Sequence, residues 1–305
     1  MRTSLNLQIQ NTLQSIARAS DGLTAVHLKG TSGKRILKPS DDIPGTDRIL
    51  SLRSAINTID QLTDNTIVGK PSLQTAEAAL NEATKIINTV RDIALRVINS
   101  SVTDRSTYLA QLDDLTAHLV DIANTRYMDQ YVFSGTASDK PAVSVQNGPP
   151  VEYSYIGNAG TKKTQVLSWV SVPTNIPGSA VFNFDGSAGA DTTDVFTMIS
   201  RVRSAMESED YTALSEELAN IDANHNNILA CRSRLGSWMQ RMDDATNMLI
   251  DSKMRMRELL SDIEDIDLPS VVVELQTQEN IYQAALAISS RVMNMSLLST
   301  QLGSR

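Results

Sequence analysis

The two ends of this 305-residue chain carry the same apolar pattern. Near both termini, mostly apolar residues recur at alternating steps of four and three positions. The first series is Leu5, Ile9, Thr12, Ile16, Ala19, Leu23 and Val26, and the second is Ile281, Ala285, Ile288, Val292, Met295, Ser299 and Leu302. This spacing is the heptad pattern of coiled coils. Because one helix cannot bury such a stripe alone, the pattern predicts that the terminal helices pair with each other or with neighbouring copies of the chain.

Composition favours long helices over a large compact core. Aromatic residues make up 4% of the chain and hydrophobic residues 41%, so the apolar share consists mainly of the aliphatic residues of helical seams. The formal net charge is -8, with acids and bases mixed along the chain, which argues against nucleic acid or an anionic membrane as a partner. There is no apolar run of about 18 residues and no pattern of a cleaved secretory signal. The chain is therefore expected to be soluble and uncleaved.

Glycine and proline divide the N-terminal half. The segment from Gly30 to Pro44 interrupts the first heptad series, which predicts a non-helical link. Helical spacing then resumes and continues to about residue 130, which predicts two or three long helices, with Pro71 in the first turn of one of them. The predicted stripe after this proline is Leu73, Ala76, Leu80, Ala83, Ile87, Val90, Ala94 and Val97. Within the link, Ser40, Asp41 and Asp42 are predicted to cap the helix that follows.

The C-terminal half is predicted to contain one very long helix. The heptad step holds from Ile228 to Ile266, and Pro269 restricts Leu268 and ends that helix before the last series begins. Between the two helical halves, residues 131–194 are rich in Pro, Gly, Ser, Thr and Val, with β-type runs that indicate a small β-rich insert.

The predicted fold is therefore mainly α. An elongated, antiparallel coiled-coil or helical rod is formed by the N- and C-terminal segments, with a small β-rich inserted domain. We divide it into a terminal coiled-coil layer of residues 1–44 and 268–305, a helical rod of residues 45–130 and 195–267, and an insert of residues 131–194. In this arrangement the terminal seams are the expected assembly interface.

The chain offers no convincing catalytic or metal-binding constellation. His27, His118 and His225 lie in different segments, with no second ligand at metal-binding spacing. Cys231 is the only cysteine and occupies a helical seam position, so we interpret it as a buried structural residue. No phosphate-binding glycine loop or nucleophile motif is present. We expect no enzyme activity, no metal and no cofactor.

Two charged clusters have both structural and binding interpretations. An acidic cluster, formed by Asp262, Glu264, Asp265 and Asp267, lacks the ligand spacing of a calcium loop and is interpreted as a charged helix end. A basic group, formed by Lys34, Arg35 and Lys38, is either a solvated loop or a charged contact with a neighbouring subunit.

Four local strings resemble one known family when taken together. The first is Ser32-Gly33-Lys34-Arg35-Ile36-Leu37-Lys38-Pro39-Ser40-Asp41-Asp42, and the second is Tyr131-Val132-Phe133-Ser134-Gly135. The third is Tyr155-Ile156-Gly157-Asn158-Ala159-Gly160, followed by Val172-Pro173-Thr174-Asn175-Ile176-Pro177-Gly178 and Val181-Phe182. The fourth couples Arg234-Leu235-Gly236 with Glu264-Asp265-Ile266-Asp267-Leu268 and Gln283-Ala284-Ala285-Leu286. The chain resembles the bacterial flagellin superfamily and, within it, the flagellar hook-associated protein 3 family. In the first string, Ile43-Pro44 delays the proline that usually follows the acids.

The resemblance implies a structural, axial component of the bacterial flagellum that forms the junction between hook and filament. It further implies self-assembly into a ring through the terminal helices, and contacts with a neighbouring hook-associated protein and with flagellin. By the same resemblance, the chain would be exported unfolded by the flagellar type III apparatus without a cleaved signal. A dedicated export chaperone would hold its C-terminal region, and its final location would be the extracellular flagellum.

Two other functional classes remain open at this stage. A flagellin filament subunit shares the terminal layers but typically carries an ERLSSGLRIN-like string near its N-terminus. A soluble coiled-coil adaptor unrelated to flagella would use the β-rich insert as a docking module. An enzyme is the weakest alternative, because no constellation of side chains supports it.

Overall fold

The computed structural model describes residues 2–99, 105–146, 148, 151–189 and 192–302, and the side-chain environments of residues 7 and 9–292 within them. The helices in these ranges are α1 (Arg2–Ser32), α2 (Ile43–Asn99), α3 (Arg105–Ala123), α4 (Gly178–Val181), α5 (Val195–Glu207), α6 (Tyr211–Glu264) and α7 (Leu268–Leu302). The strands are β1 (Arg126–Tyr127), β2 (Gln130–Tyr131), β3 (Val143–Gln146), β4 (Glu152–Tyr155), β5 (Lys163–Leu167) and β6 (Val170–Pro173). The prediction of a mainly α chain with a small β-rich region is confirmed. None of the described helices combines the length and apolar content needed to span a membrane.

The described chain forms two compact units. Unit 1 comprises Met1–Thr58 and Ser252–Arg305, and unit 2 comprises Ile59–Asp251. Helices α2 and α6 contribute residues to both. The three-part division made from the sequence remains a prediction.

Unit 2 has a helical core built on the stripes that the sequence indicates. Every predicted stripe residue of α2 in this unit is buried: Leu73, Ala76, Leu80, Ala83, Ile87, Val90, Ala94 and Val97. On α6, Ile228, Leu235 and Met242 are buried in the same core as Cys231. Burial of one Leu, Ile or Val side chain contributes about 1.5–3 kcal/mol, so the stripes stabilise this unit together with the buried residues of the hairpins. Burial raises the pKa of the Cys231 thiol, which agrees with a structural role.

Pro71 does not begin a helix, and that prediction was wrong. It lies inside α2, which continues without interruption from Ile43 to Asn99. Proline removes the hydrogen bond that its backbone nitrogen would donate to the carbonyl oxygen of Ile67. Ile67 is on an exposed face, where water can bind that carbonyl group. The buried stripe that starts at Leu73 keeps the helix intact beyond the proline.

The helix predicted from Ile228 starts earlier and is preceded by a break that the sequence did not reveal. Helix α6 begins at Tyr211 and ends at Glu264, and α7 begins at Leu268, as Pro269 indicates. The break between α5 and α6 places Glu209 at a positive φ of 61°. Arg105 holds the break by pairing with the Glu209 carboxylate and donating to the Tyr211 hydroxyl at 2.6 Å.

Within the described residues, the β-rich part consists of three two-stranded antiparallel hairpins rather than one sheet. An isolated hairpin is only marginally stable in water, so each needs a packing surface. The hairpin of β3 and β4 packs against helix α5 through Tyr153, whose ring stacks on Phe196 with centroids 5.2 Å apart. Phe182 joins this aromatic group, 5.6 Å from Phe196 and 5.7 Å from Phe133. Aromatic residues are rare in this chain, and several of them form the packing surface beneath the hairpins.

Candidate assembly site

Helices α1 and α7 pack against each other in unit 1 and run antiparallel. Gly22 of α1 lies opposite Gln278, and Gly30 lies opposite Val271. A side-chain carbon on Gly22 would lie 3.0 Å from Oε1 of Gln278, which shows how closely the helices approach there. The two chain ends therefore pair with each other, as the heptad series predict.

On α1 the predicted seam is the inner face of the pair. Ala19 and Val26 are buried, and Ile9, Ile16 and Leu23 are half-buried. The side chain of Leu5 lies outside the described residues. The sequence therefore placed this seam in the correct register along α1.

On α7 the predicted seam divides between two faces. Ala285 and Val292 are half-buried, whereas Ile281 and Ile288 are exposed. Met295 and Leu302 lie outside the residues whose side chains are described. The least exposed positions of α7 keep the four-three spacing but follow a different series: Val271, Leu275, Gln278, Tyr282, Ala285, Ser289 and Val292. Helix α7 therefore has one stripe against α1 and a second apolar stripe that the pair leaves uncovered.

The uncovered stripe forms one wall of a groove along the helix pair. The groove has a volume of about 430 Å³, and α7 lines it with Ile281, Ala284, Ala285 and Ile288. Small side chains of α1 form the other wall, including Ser15 and Ala19. A groove with one apolar wall and one wall of small residues can accept the side chains of another helix.

The link between α1 and α2 is held by the motif that carries the resemblance. Gly33 ends α1 at a positive φ of 69°, and its backbone nitrogen donates to the Lys29 carbonyl oxygen, as in a left-handed helix cap. Ser32 accepts a hydrogen bond at Oγ from the backbone nitrogen of Lys34. Pro39 and Ser40 are exposed in the turn that follows.

The two acids of this link have different roles. Asp42 caps α2, because its Oδ1 accepts a 2.9 Å hydrogen bond from the backbone nitrogen of Gly45, which confirms capping at this position. Asp41 instead closes the turn, with Oδ2 accepting from the backbone nitrogens of Leu37 and Lys38 at 3.1 and 2.9 Å. These backbone donors lower the pKa of both carboxyl groups, and Arg35 lowers the pKa of Asp42 further.

Five charged residues tie this link to the link between α6 and α7, and we call them the crossover clamp: Lys34, Arg35, Asp42, Arg53 and Glu264. Glu264 is buried, and its carboxylate forms an ion pair with Lys34. The same carboxylate accepts a 2.6 Å hydrogen bond from Nη2 of Arg53. Arg35 donates through Nε and Nη2 to the carbonyl oxygen of Ile263 and through Nη1 to Asp42.

The backbone completes the clamp. The nitrogen of Arg35 donates to the Glu264 carbonyl oxygen at 2.6 Å, and the nitrogen of Ile266 donates to the Gly33 carbonyl oxygen at 3.1 Å. Lys34 and Arg35 of the basic group therefore contact residues of the same chain. The acidic cluster is more than a charged helix end, because Glu264 is the centre of the clamp. Sequence reasoning missed that role, which depends on a partner about 230 positions away.

The described residues contain no group of three or more side chains that could hold a metal ion. His27 and His118 are exposed on separate helices, and His225 is half-buried on α6.

Sequence-family comparisons match both helical ends of the chain. The bacterial flagellin N-terminal helical region matches residues 3–138, and the bacterial flagellin C-terminal helical region matches residues 218–300. The chain belongs to the bacterial flagellin superfamily. This result confirms the resemblance inferred from the sequence and makes the flagellin-type chain a structural component of the flagellum that contacts other flagellar proteins.

Curated relatives of this flagellin-type chain include flagellins and hook-associated proteins. A flagellin of Listeria innocua is 25% identical over 99% of both chains. The flagellar hook-associated protein 3 of Escherichia coli is 23% identical over 97% of this chain and 98% of its own length. The resemblance to the hook-associated protein 3 branch is thus confirmed, and flagellin is an equally extensive match.

Solved structures share the fold. A flagellar hook-associated protein from Vibrio parahaemolyticus matches with a TM-score of 0.66 at 21% identity, over 74% of this chain and 100% of its own. The flagellar junction protein FlgL from Legionella pneumophila matches with a TM-score of 0.58 at 18% identity, over 70% of this chain and 100% of its own. At these identities the likeness establishes the helical fold with its small β-rich region.

Proposed function

We propose that this chain is the structural subunit that joins hook to filament in the bacterial flagellum. The observation that carries the proposal is the apolar stripe of Ile281 and Ile288, which α7 leaves uncovered in a helix pair built from both chain ends. An axial subunit needs such a surface, because its terminal helices must pack within the chain and between neighbours. The near full-length relationship to a hook-associated protein 3 supports the position at the junction.

The proposed partners follow from this position. Copies of the chain form a ring through the α1 and α7 pair, and the ring contacts a neighbouring hook-associated protein on one side and flagellin on the other. The predicted seam residues have two roles in this interface. Ile9, Ile16, Leu23, Val26, Ala285 and Val292 pack within the pair, whereas Ile281 and Ile288 meet the neighbouring copy. Leu5, Met295 and Leu302 belong to the proposed interface as seam residues of the sequence pattern. The family motif, from Ser32 to Asp42, holds the link at the base of this interface.

The same proposal includes a route to the assembly site. The chain is exported through the flagellar type III apparatus without a cleaved signal and ends in the extracellular flagellum. A dedicated export chaperone holds the C-terminal region before assembly. The exposed apolar residues of α7 support this step, since a free chain would otherwise present them to water: Leu268, Val272, Val273, Ile281, Leu286 and Ile288.

A matched pair of variants tests the assembly surface. In a strain that relies on this chain as its junction subunit, Ile288→Glu should prevent filament attachment and release flagellin into the medium. Ile67→Glu is the control, because Ile67 has the same side chain and nearly the same exposed fraction, 62% against 60%, but lies on α2 in unit 2. The exported amount of each variant separates assembly from export. Normal filaments on a fully exported Ile288→Glu chain would contradict the proposal.

A flagellin filament subunit is the second candidate, favoured by the full-length match to a flagellin. The two candidates differ in location. A junction subunit occupies a short zone between hook and filament, whereas flagellin extends along the whole filament.

A further inference from the structure

Helix α7 is apolar on more than one face, so its own sequence does not decide which face meets α1. Three consecutive valines, Val271, Val272 and Val273, lie near its start. Only Val271 is buried, with an exposed fraction of 8%, whereas Val272 is 55% exposed. Further along, Ile281 and Ile288 are exposed, although they are more apolar than Tyr282 and Ser289, which directly follow them and are less exposed. In this part of α7, hydrophobic burial alone would favour a rotated helix.

The crossover clamp is positioned to remove this ambiguity. Its backbone bond from Ile266 to Gly33 lies two residues before α7 begins and directly after α1 ends. The side chain of Glu264 is only 6% exposed, and its carboxylate pairs with the charged groups of Lys34 and Arg53. A buried carboxylate depends strongly on its partners, so the clamp tolerates few arrangements of the two links. Arg35 restricts how the two links are oriented, because its planar guanidinium group donates hydrogen bonds to Ile263 and Asp42 at the same time.

We propose that the crossover clamp fixes the face that α7 turns towards α1, with Arg35 and Glu264 as the positioning residues. The clamp selects the stripe that starts at Val271 and keeps the stripe of Ile281 and Ile288 on the outside. Polar groups have a known capacity to fix register between helices, at a cost in stability. This inference concerns the isolated chain and does not depend on the hook-filament function.

Thiol labelling of two adjacent valines tests the clamp. Val271→Cys and Val272→Cys are introduced separately into the full chain in a Cys231→Ala background, so that each protein has one thiol. With the clamp intact, maleimide should label position 272 at least about tenfold faster than position 271, because labelling of a buried thiol requires local opening. Both cysteines replace a valine in the same helical turn, so the intrinsic reactivities of the two thiols should differ little.

Clamp variants should reduce this ratio. Glu264→Gln and Arg35→Gln are each expected to bring the ratio of the two labelling rates towards one. Arg35→Lys keeps the charge but cannot contact Ile263 and Asp42 together, so it should give an intermediate ratio. Arg91→Gln is the control, because it removes an exposed ion pair with Asp222 in unit 2 and should leave the ratio unchanged.

The outcome separates positioning from general stability. Circular dichroism and the thermal unfolding of each variant show whether the helical core is retained, and the ratio is compared only among folded proteins. A fall in the ratio with the clamp variants but not with Arg91→Gln supports the inference. An unchanged tenfold ratio in Glu264→Gln and Arg35→Gln would overturn it, because helix packing alone would then set the face of α7.

Discussion

Ile288 is 60% exposed on α7, whereas the next residue, Ser289, is 6% exposed against the helix pair. This order is the reverse of what burial within a single chain would favour, since the apolar side chain faces water and the hydroxyl faces inward. An exposed apolar stripe on a long helix is typical of a surface that meets another molecule. The relationship supports an assembly role for the outer face of α7.

The two faces of the α1 and α7 pair should respond differently to the same chemical change. Ile288→Ser is expected to change stability by no more than about 0.5 kcal/mol, because Ile288 is already exposed. Val26→Ser should cost about 2–3 kcal/mol, because it places a hydroxyl group on the buried face of α1. Hydrogen exchange of the α1 amides in the isolated chain measures both effects. Equal losses of protection would show that Ile288 also stabilises the pair within one chain.

Gly135 cannot accept a side chain. It has a positive φ of 70°, and a carbon added there would overlap the carbonyl oxygen of Asn158. We expect Gly135→Ala to lower the free energy of unfolding by roughly 3 kcal/mol or more, from backbone strain and overlap together. Gly186→Ala is the control, because its φ is 76° but no atom lies within 4 Å, so only about 1 kcal/mol of strain is expected. Urea denaturation measures the loss of stability in each variant. Equal losses would show that overlap with Asn158 adds nothing to the backbone strain.

Pro71 and Pro269 should differ when each is replaced by alanine. Pro71 lies inside α2, so Pro71→Ala restores one backbone hydrogen bond and should raise the free energy of unfolding by about 1–2 kcal/mol. Pro269 lies in the first turn of α7, where no intrahelical bond is lost, so Pro269→Ala should change stability by less than about 1 kcal/mol. Thermal and urea unfolding provide the comparison. A destabilised Pro71→Ala would mean that the proline sets a bend that the core requires.

The start of α2 should loosen in acid. The Gly45 amide and then Arg35 hold the pKa of Asp42 below its ordinary value of 3.8, so ionised Asp42 favours the folded state. That stabilisation is present above the unfolded-state pKa and is lost as the pH falls through the lower folded-state pKa. Protection factors of the Gly45 and Thr46 amides should therefore fall below about pH 4.

Two variants isolate the contribution of Asp42. Asp42→Asn keeps an oxygen that can accept from Gly45 but cannot titrate, so the acid-dependent loss of protection should shrink. Asp47→Asn, at an exposed position in the first turns of α2, is the matched control and should keep the full loss. If Asp42→Asn retains the wild-type pH profile, the titrating group is elsewhere.

Much of the fold follows from local patterns in the sequence. The heptad series predicted that the ends pair, and the buried stripe from Leu73 to Val97 was identified residue by residue. Capping of α2 was predicted for the group of Ser40, Asp41 and Asp42, and Asp42 provides it. These features depend on neighbours within a few residues, which a sequence displays directly.

The remainder depends on contacts between distant positions. Two stripes with the same spacing exist on α7, and the sequence alone does not show that α1 takes the one containing Tyr282 and Ser289. Pro71 suggested a helix start because proline is favoured in a first turn, whereas buried residues on both sides of it, such as Leu62 and Leu73, belong to one continuous helix. The role of Glu264 requires Lys34 and Arg53, which come more than 200 positions earlier in the chain. A short break such as Ser208 to Asp210 carries no proline or glycine to reveal it.

The central claim is that this chain forms the junction between hook and filament through its paired ends. Electron microscopy of flagella labelled with antibodies against the β-rich region, residues 131–194, tests it most directly. The account predicts label in one short zone between hook and filament, and loss of that zone in the Ile288→Glu variant but not in Ile67→Glu. Label along the whole filament would contradict the claim and identify the chain as a filament subunit.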